Sequence, residues 1–163
     1  MRRALLGALV VVAAACGGNE PRTAEPVVDL ISDAVAAIEA HYGAPQEYFE
    51  ISAGLESIGV IVAVDGATAA EQSSFSAEAG LVGPEPVGEA SGATFVGGDI
   101  TFDPDRVFDR IRDELDDPVI VDFAIQGGPD GTVIYDVTVA TTSGGVLLVL
   151  VAPDGTIQGA QAQ

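Results

Sequence analysis

The sequence predicts an α+β fold in which each of two helices precedes a run of antiparallel strands. Three observations indicate this fold class. Apolar residues recur at helical spacing in two segments, they alternate or cluster in several runs rich in β-branched residues, and glycine-containing turns separate these runs. About 140 residues follow the N-terminal segment, which is enough for one domain or for two small halves that share a core.

The first predicted helix covers about residues 26–42. Pro26 suits the first turn of a helix, and Gly43 followed by Pro45 ends it. The apolar positions recur at intervals of three and four residues and predict one buried face. These positions are Val27, Leu30, Ile31, Ala34, Val35, Ile38 and Tyr42.

Two β-rich runs follow this helix, at residues 47–52 and 59–64, and are predicted to form a hairpin. A third strand is predicted at 72–77, and it completes a first half at residues 26–79. Residues 80–93 contain four glycines and two prolines. This composition predicts a linker between two halves of the domain.

The second predicted half covers residues 94–163 and begins its helix at Asp103–Pro104. Asp103 can cap the helix and Pro104 fits its first position. The helix is expected to bury Val107, Phe108, Ile111 and Leu115. Three strands are predicted after it, at residues 119–126, 132–141 and 146–152.

The two halves repeat each other in pattern. One constant shift along the chain superimposes 48–51 on 120–123, and 59–62 on 131–134. Each half is therefore predicted to be one helix and a three-stranded antiparallel meander, which cannot cover its own apolar faces alone. Pairing the two halves gives one sheet with both helices packed on one face.

The N-terminal residues 1–15 are predicted to be a signal peptide. Arg2 and Arg3 form a positive start, and an apolar run from Ala4 follows. This run is too short for a membrane helix, which needs about 20 apolar residues. Residues 16–25 lack periodicity and are predicted as a flexible tether.

Cys16, the one cysteine of the sequence, follows three alanines directly and precedes two glycines. This junction resembles the lipobox of bacterial lipoproteins. The resemblance implies that diacylglycerol acylates the Cys16 thiol and that the protein is anchored to the outer face of a membrane. That family usually has leucine where this chain has Ala13. Residues 13–15 also satisfy the rule for ordinary signal cleavage, so a secreted protein is the alternative.

The composition is strongly acidic, with 25 acidic residues, 6 basic residues and no lysine. Removal of Arg2 and Arg3 with the signal peptide leaves four arginines and a formal charge of −21. Such a chain cannot neutralise phosphates, so nucleic-acid binding and docking on anionic headgroups are disfavoured. The acids are spread along the chain, which favours a heavily solvated surface.

The strands of the second half also resemble those of a known protein family. The segments 135–139, 146–151 and 153–157 read Tyr-Asp-Val-Thr-Val, Val-Leu-Leu-Val-Leu-Val and Pro-Asp-Gly-Thr-Ile. With the helix before them, they resemble the PepSY-type and related helix-plus-three-strand modules of bacterial envelope proteins. The resemblance implies a non-catalytic module that binds or restrains another envelope protein, sometimes a peptidase. It assigns no functional residues.

The sequence predicts no catalytic residues, no cofactor and no metal site. His41 is the one histidine and is expected to interact with the C-terminal end of the first helix. The acidic segment 103–117 has Phe108 where a calcium-binding EF-hand loop needs glycine. Asp109 is spaced to pair with Arg112, so a solvated, charged helix face is expected there, and a weak surface calcium site is the alternative.

The main alternative to a protein-binding module is a carrier of a lipid or another apolar ligand. Residues 146–152 are apolar at every position, so both faces of this strand need a cover of protein or ligand. A carrier would need a cavity of about 300 Å³ or more between sheet and helices. An interaction module would instead have a filled core and an exposed edge or groove.

Overall fold

The computed structural model describes residues 25–141 and 144–163. This part of the chain contains two α-helices, α1 at Ile31–Tyr42 and α2 at Pro104–Glu114. It also contains nine strands: β1 Glu47–Ala53, β2 Ile58–Val64, β3 Ala69–Ser76, β4 Gly80–Glu89, β5 Phe95–Val96, β6 Pro118–Gly127, β7 Val133–Thr141, β8 Val146–Val151 and β9 Ile157–Ala162. The predicted α+β class is confirmed.

The nine strands form one antiparallel sheet. The order of the strands is β4-β3-β2-β1-β6-β7-β8-β9, and the short β5 pairs with β1. β1 and β6 are neighbours in the middle of the sheet, where Ile51 lies opposite Ile125. β4 and β9 are therefore the two edge strands.

Helix α1 begins later than the sequence predicts. Val28–Leu30 form a 3-10 turn, and the Val27 N–H donates to the Gly54 carbonyl at 2.9 Å instead of joining the helix. The helix ends as predicted at Gly43, whose φ of 74° suits glycine and whose N–H donates to the Glu39 carbonyl at 2.8 Å. Its buried residues belong to the predicted apolar face: Ile31, Ala34 and Ile38.

Helix α2 begins where the sequence predicts. The Asp103 side chain accepts a hydrogen bond from the Arg106 backbone N–H at 3.2 Å, and Pro104 occupies the first helical position. The helix ends before Leu115, which is half-buried. Its buried residues are those expected from the spacing: Val107, Phe108 and Ile111.

The buried apolar residues of both helices and of the sheet, apart from Ala63, Ala70 and Ala124, form one hydrophobic cluster. Phe123 of β6 is fully buried within it. Its ring centroid lies 4.6 Å from that of Phe102, 6.1 Å from that of Tyr135 and 6.2 Å from that of Phe108. These four rings join α2, the segment before it and two central strands.

The two edge strands were not expected from the sequence. Residues 80–89, predicted as part of a linker, form β4, in which Pro84 and Pro86 are tolerated because an edge strand need not donate on its outer side. β9 lies beyond the last predicted strand and pairs with β8 along Leu147–Val151. Each half was predicted to have three strands, and each has a fourth strand, β4 or β9, at the edge of the sheet.

The turn between β8 and β9 packs closely against the first turn of α2. The Asp103 N–H donates to the Pro153 carbonyl at 3.2 Å. Gly155 has a φ of 85°, and a Cβ atom placed on it would lie 2.7 Å from the Arg106 carbonyl oxygen. Only glycine fits this contact without a shift of the backbone, because any side chain adds both strain and overlap.

Candidate functional site

One face of the sheet carries carboxylates between apolar residues. A row of directly opposed residues crosses five strands on this face: Ser52, Ala124, Asp136, Leu150 and Gly159. Opposed residues in an antiparallel sheet lie on the same side of it, and residues two positions apart along a strand do too. Asp122 and Glu50 therefore share this face, which we call the acidic face.

Asp136 of β7 is the most deeply placed carboxylate of the acidic face. The residue is 8% exposed, and its side chain has no hydrogen bond or ion pair within the described part of the chain. Burial raises the pKa of this carboxyl above its usual range. A largely desolvated carboxylate without a protein partner is unfavourable to keep ionised, so the site favours either a proton or an external cation.

A groove opens beside Asp136 and runs over strands β8 and β9. It has a volume of about 340 Å³ and is lined by Asp136, Leu148, Leu150, Gly159, Ala160 and Gln161. A Cβ atom on Gly159 would have no neighbour within 4 Å. Because glycine has no side chain, the groove is open at Gly159, between Leu150 and the edge of the sheet.

Asp122 and Glu50 form a second part of the acidic face, near the centre of the sheet. Burial, and secondarily the negative charge of Glu50, raise the pKa of Asp122 to about 6. The Gln126 amide lies 3.5 Å from the Glu50 carboxylate and is its opposed neighbour across β1 and β6. The acidic face therefore presents its charges on a half-buried surface and not on mobile loops.

The raised pKa of Asp122 predicts a pH-dependent gain in stability for Asp122→Asn. The folded state holds this proton more tightly than the unfolded state, so the Asp122 charge destabilises the fold above about pH 6 and has no effect below about pH 4. Urea denaturation at pH 8 should show a more stable variant, and at pH 4 a much smaller difference. Asp113→Asn, at an exposed residue of α2, is the control and should change little at either pH. Equal gains at both pH values would contradict the prediction.

The two edges of the sheet differ in how accessible they are to another strand. β4 carries two prolines, two glutamates and two breaks in its register with β3. Such features discourage pairing with another chain. β9 has one irregularity, at Gln158, and its following residues 159–162 are exposed and carry neither charge nor proline. β9 is thus the less protected edge.

The hydrogen bonding of β9 leaves two residues free to pair outward. The Gln163 N–H donates to the Val146 carbonyl at 3.0 Å, and Gln161 and Gly159 lie opposite Leu148 and Leu150. Residues bonded to a neighbouring antiparallel strand alternate with residues that direct their N–H and C=O groups the other way. Ala160 and Ala162 accordingly direct these groups away from β8.

The residues singled out by the sequence lie away from the acidic face or outside the structure. Cys16 lies outside the described residues. His41 is exposed in the last turn of α1, with its ring centroid 5.2 Å from that of Tyr42. Asp109 pairs with Arg112 at 2.8 Å, as its spacing predicts, and its side chain is 72% exposed.

The described residues contain no group of three or more His, Cys, Asp or Glu side chains that could hold a metal ion. Neither α1 nor α2 is long and apolar enough to cross a membrane. Within residues 25–141 and 144–163, the candidate site consists of the acidic face with its carboxylates of raised pKa, the groove beside Asp136, and the β9 edge with its outward backbone groups.

The sequence contained one unused signal for the acidic face. Asp122 and Asp136 each stand between apolar residues inside a predicted strand, where a charged residue is unfavourable unless its face is solvated or occupied. The apolar run at 146–152, predicted to be a strand that needs cover on both faces, supplies Leu148 and Leu150 of the groove. Their proximity depends on strand register, which no local pattern specifies.

Searches of protein-family models, curated proteins and solved structures found no match for this chain.

Proposed function

We propose that this protein is a lipid-anchored, non-catalytic binding module of the cell envelope. In this proposal it adds an extended segment of an envelope protein to its sheet at β9. The supporting observation is the difference between the edges: β4 is protected by proline and glutamate, whereas residues 159–162 of β9 are exposed and uncharged. Strand addition at an exposed sheet edge is a common mode of peptide recognition.

The geometry of β9 supports this mode of binding. Ala160 and Ala162 direct N–H and C=O groups outward, and these groups would form the ladder with an added strand. Their small side chains leave the approach to the backbone open. Main-chain hydrogen bonds would then supply affinity, and the side chains of the bound segment would supply specificity.

The charge of the chain favours a partner with basic residues near the bound segment. The formal charge is −19 for the whole sequence. Opposite charges accelerate association and disfavour acidic competitors, and these effects weaken as salt is added.

A site-specific cross-linking experiment tests the edge. A photoreactive amino acid at Gln158 of β9 should give a discrete adduct on native membranes, whereas the same group at Val87 of β4 should not. Ala160→Pro removes an outward N–H without breaking the bond to β8, and should weaken adduct formation about tenfold. Val87→Pro is the matched control on the opposite edge and should leave the Gln158 adduct unchanged.

Two outcomes would contradict the proposed edge. One is a Gln158 adduct whose yield is unaffected by Ala160→Pro in a protein shown by circular dichroism to be folded. The other is equal adduct formation from Val87, which would indicate random collision at both edges.

The proposed anchor is Cys16, which supports localisation on the extracytoplasmic face of a membrane. The support comes from the sequence: a positively charged start, a short apolar run, and a cysteine directly after Ala13–Ala15. Residues 16–25 would then separate the lipid from the folded domain. Secretion without a lipid is the alternative for the same cleavage site.

We also propose that the sheet consists of two related units with both helices on one face. α1 precedes β1–β4 and α2 precedes β6–β9, and the strand order is symmetric about the β1–β6 pair. The register breaks next to Phe49 in β1 and next to Val121 in β6, two positions that coincide under the same shift that superimposes the sequence halves. β-bulges are retained features of a fold, so their correspondence supports a common origin.

A carrier of an apolar ligand is the second candidate function. A cleft of about 300 Å³ lies between α1 and residues 97–102 and is lined in part by Val28, Ile31, Val35 and Phe102. This volume is at the lower end of the range for small-molecule sites, which begins at about 300 Å³. Native mass spectrometry of protein extracted from membranes would favour the carrier if a lipid is noncovalently bound.

A further inference from the structure

The groove beside Asp136 has the features of a built binding site. Asp136 is 8% exposed, its side chain has no hydrogen bond or ion pair within the described part of the chain, and it lines a groove of about 340 Å³. Leu148 and Leu150 form the apolar part of the lining, and Gln161 adds an amide near the edge. The groove therefore offers one carboxylate beside an apolar lining.

This combination excludes some classes of ligand. A Ca²⁺ ion takes about six to eight oxygen ligands, and the side chains of the groove supply one carboxylate and one amide, so a Ca²⁺ site is disfavoured. An anion would be repelled by Asp136 and by the other carboxylates of the acidic face. A neutral apolar ligand would leave the buried carboxylate without compensation, which is unfavourable.

We propose that the Asp136 groove binds an ammonium or guanidinium group attached to an apolar stem. The cation pairs with the Asp136 carboxylate, and the stem lies on Leu148 and Leu150 over the gap at Gly159. A charge-assisted hydrogen bond to a buried carboxylate is about twice as strong as a neutral one. Alkyl stems of this kind pack well on apolar surface while their charge seeks a polar partner.

The same chemistry could come from a free organic amine or from an arginine or lysine side chain of a bound protein. Asp122 and Glu50 lie on the same face and add negative potential for either source. The site does not require strand addition at β9, so it can be tested separately from the proposed function.

The test uses the full chain, methyl-labelled at leucine and purified in detergent, with NMR detection at Leu148 and Leu150. The probes are n-butylammonium and n-butylguanidinium, compared with sodium chloride at equal ionic strength and with n-butanol. Both cations should give saturable shifts at these two leucines, and sodium chloride should not. Nα-acetyl-arginine amide distinguishes the sources: binding at least as tight as that of n-butylguanidinium, which has the same charge, indicates a side chain, and much weaker binding indicates a free organic cation.

Three variants test whether cation binding depends on the groove beside Asp136. Asp136→Asn should weaken binding of the cations about tenfold or more, because it removes the charge with little change of shape. Gly159→Val should weaken it by filling the open gap, and it provides a second test if Asp136→Asn folds poorly. Asp113→Asn, on the exposed side of α2, should bind as the parent protein does.

The proposal is overturned if n-butanol binds as tightly as n-butylammonium, or if both Asp136→Asn and Gly159→Val bind the cations as the parent does. Failure of the Gln158 cross-link with intact cation binding would instead reject strand addition and leave this site in place.

Discussion

Phe123→Ala is expected to lower the free energy of unfolding by about 3–5 kcal/mol, the usual cost of removing a buried aromatic ring from a core. Phe123 is fully buried, and its ring contacts those of Phe102, Phe108 and Tyr135. Its loss leaves a cavity where α2, the segment before it and two strands meet. Urea denaturation followed by circular dichroism measures the change, provided that the slope of the transition is unchanged.

Two further variants control for this result. Phe123→Leu keeps most of the volume and should cost much less than alanine. Phe49→Ala removes the same atoms from a half-buried position at the break in β1 and should also cost less. A loss below about 1 kcal/mol for Phe123→Ala, or an equal loss for Phe49→Ala, would show that the aromatic cluster is not the centre of the core.

Cys16→Ser is expected to abolish membrane retention of the protein. Each buried methylene of an acyl chain contributes about 0.8 kcal/mol to membrane binding, and stable anchoring needs two chains or equivalent signals. Serine offers no thiol to acylate, so the variant should appear in the soluble fraction or remain unprocessed. Membrane fractionation and intact-mass measurement of the parent and the variant give the answer.

Ala13→Leu is the matched control for the anchor. It makes the junction more similar to the lipobox and removes the small residue that ordinary signal cleavage requires. The lipoprotein proposal expects this variant to be retained on membranes with a lipid-modified Cys16. Membrane retention of processed Cys16→Ser, or an unmodified Cys16 in the parent, would instead indicate a protein that is not lipid-anchored.

The helices were well predicted from the sequence because their signals are local. Asp103 and Pro104 lie at the first turn of α2, and the spacing of Val107 and Ile111 identifies its buried face. The start of α1 was predicted too early. The Val27 N–H bonds to the carbonyl of Gly54, and Gly54 lies in the loop after β1, far along the chain from the start of the helix. Capping and periodicity act within a few residues, whereas this hydrogen bond depends on the folded chain.

The edges of the sheet could not be predicted in this way. The prolines and glycines of residues 80–89 are typical of loops, and they are tolerated in β4 because its outer side needs no partner. The small and amide residues of β9 have neither alternation nor strong β propensity, so pairing with β8 determines their conformation.

The candidate site was not predicted from the sequence. Asp136 and Gly159 lie on different strands, with all of β8 between them in the sequence, and come together because each is opposed to Leu150, directly across the sheet. The all-apolar run of β8 indicated that something must cover both of its faces. The structure places Leu148 and Leu150 on the acidic face, where they are partly exposed.

The contact of Gly155 with α2 has an evolutionary consequence. Its φ of 85° and the 2.7 Å approach of the Arg106 carbonyl make every substitution unfavourable for two independent reasons. Gly98, whose position has open space and an ordinary backbone conformation, is under neither restriction. As homologous sequences diverge, position 155 should therefore remain glycine after position 98 has drifted, which makes it a marker for detecting distant members of the same lineage.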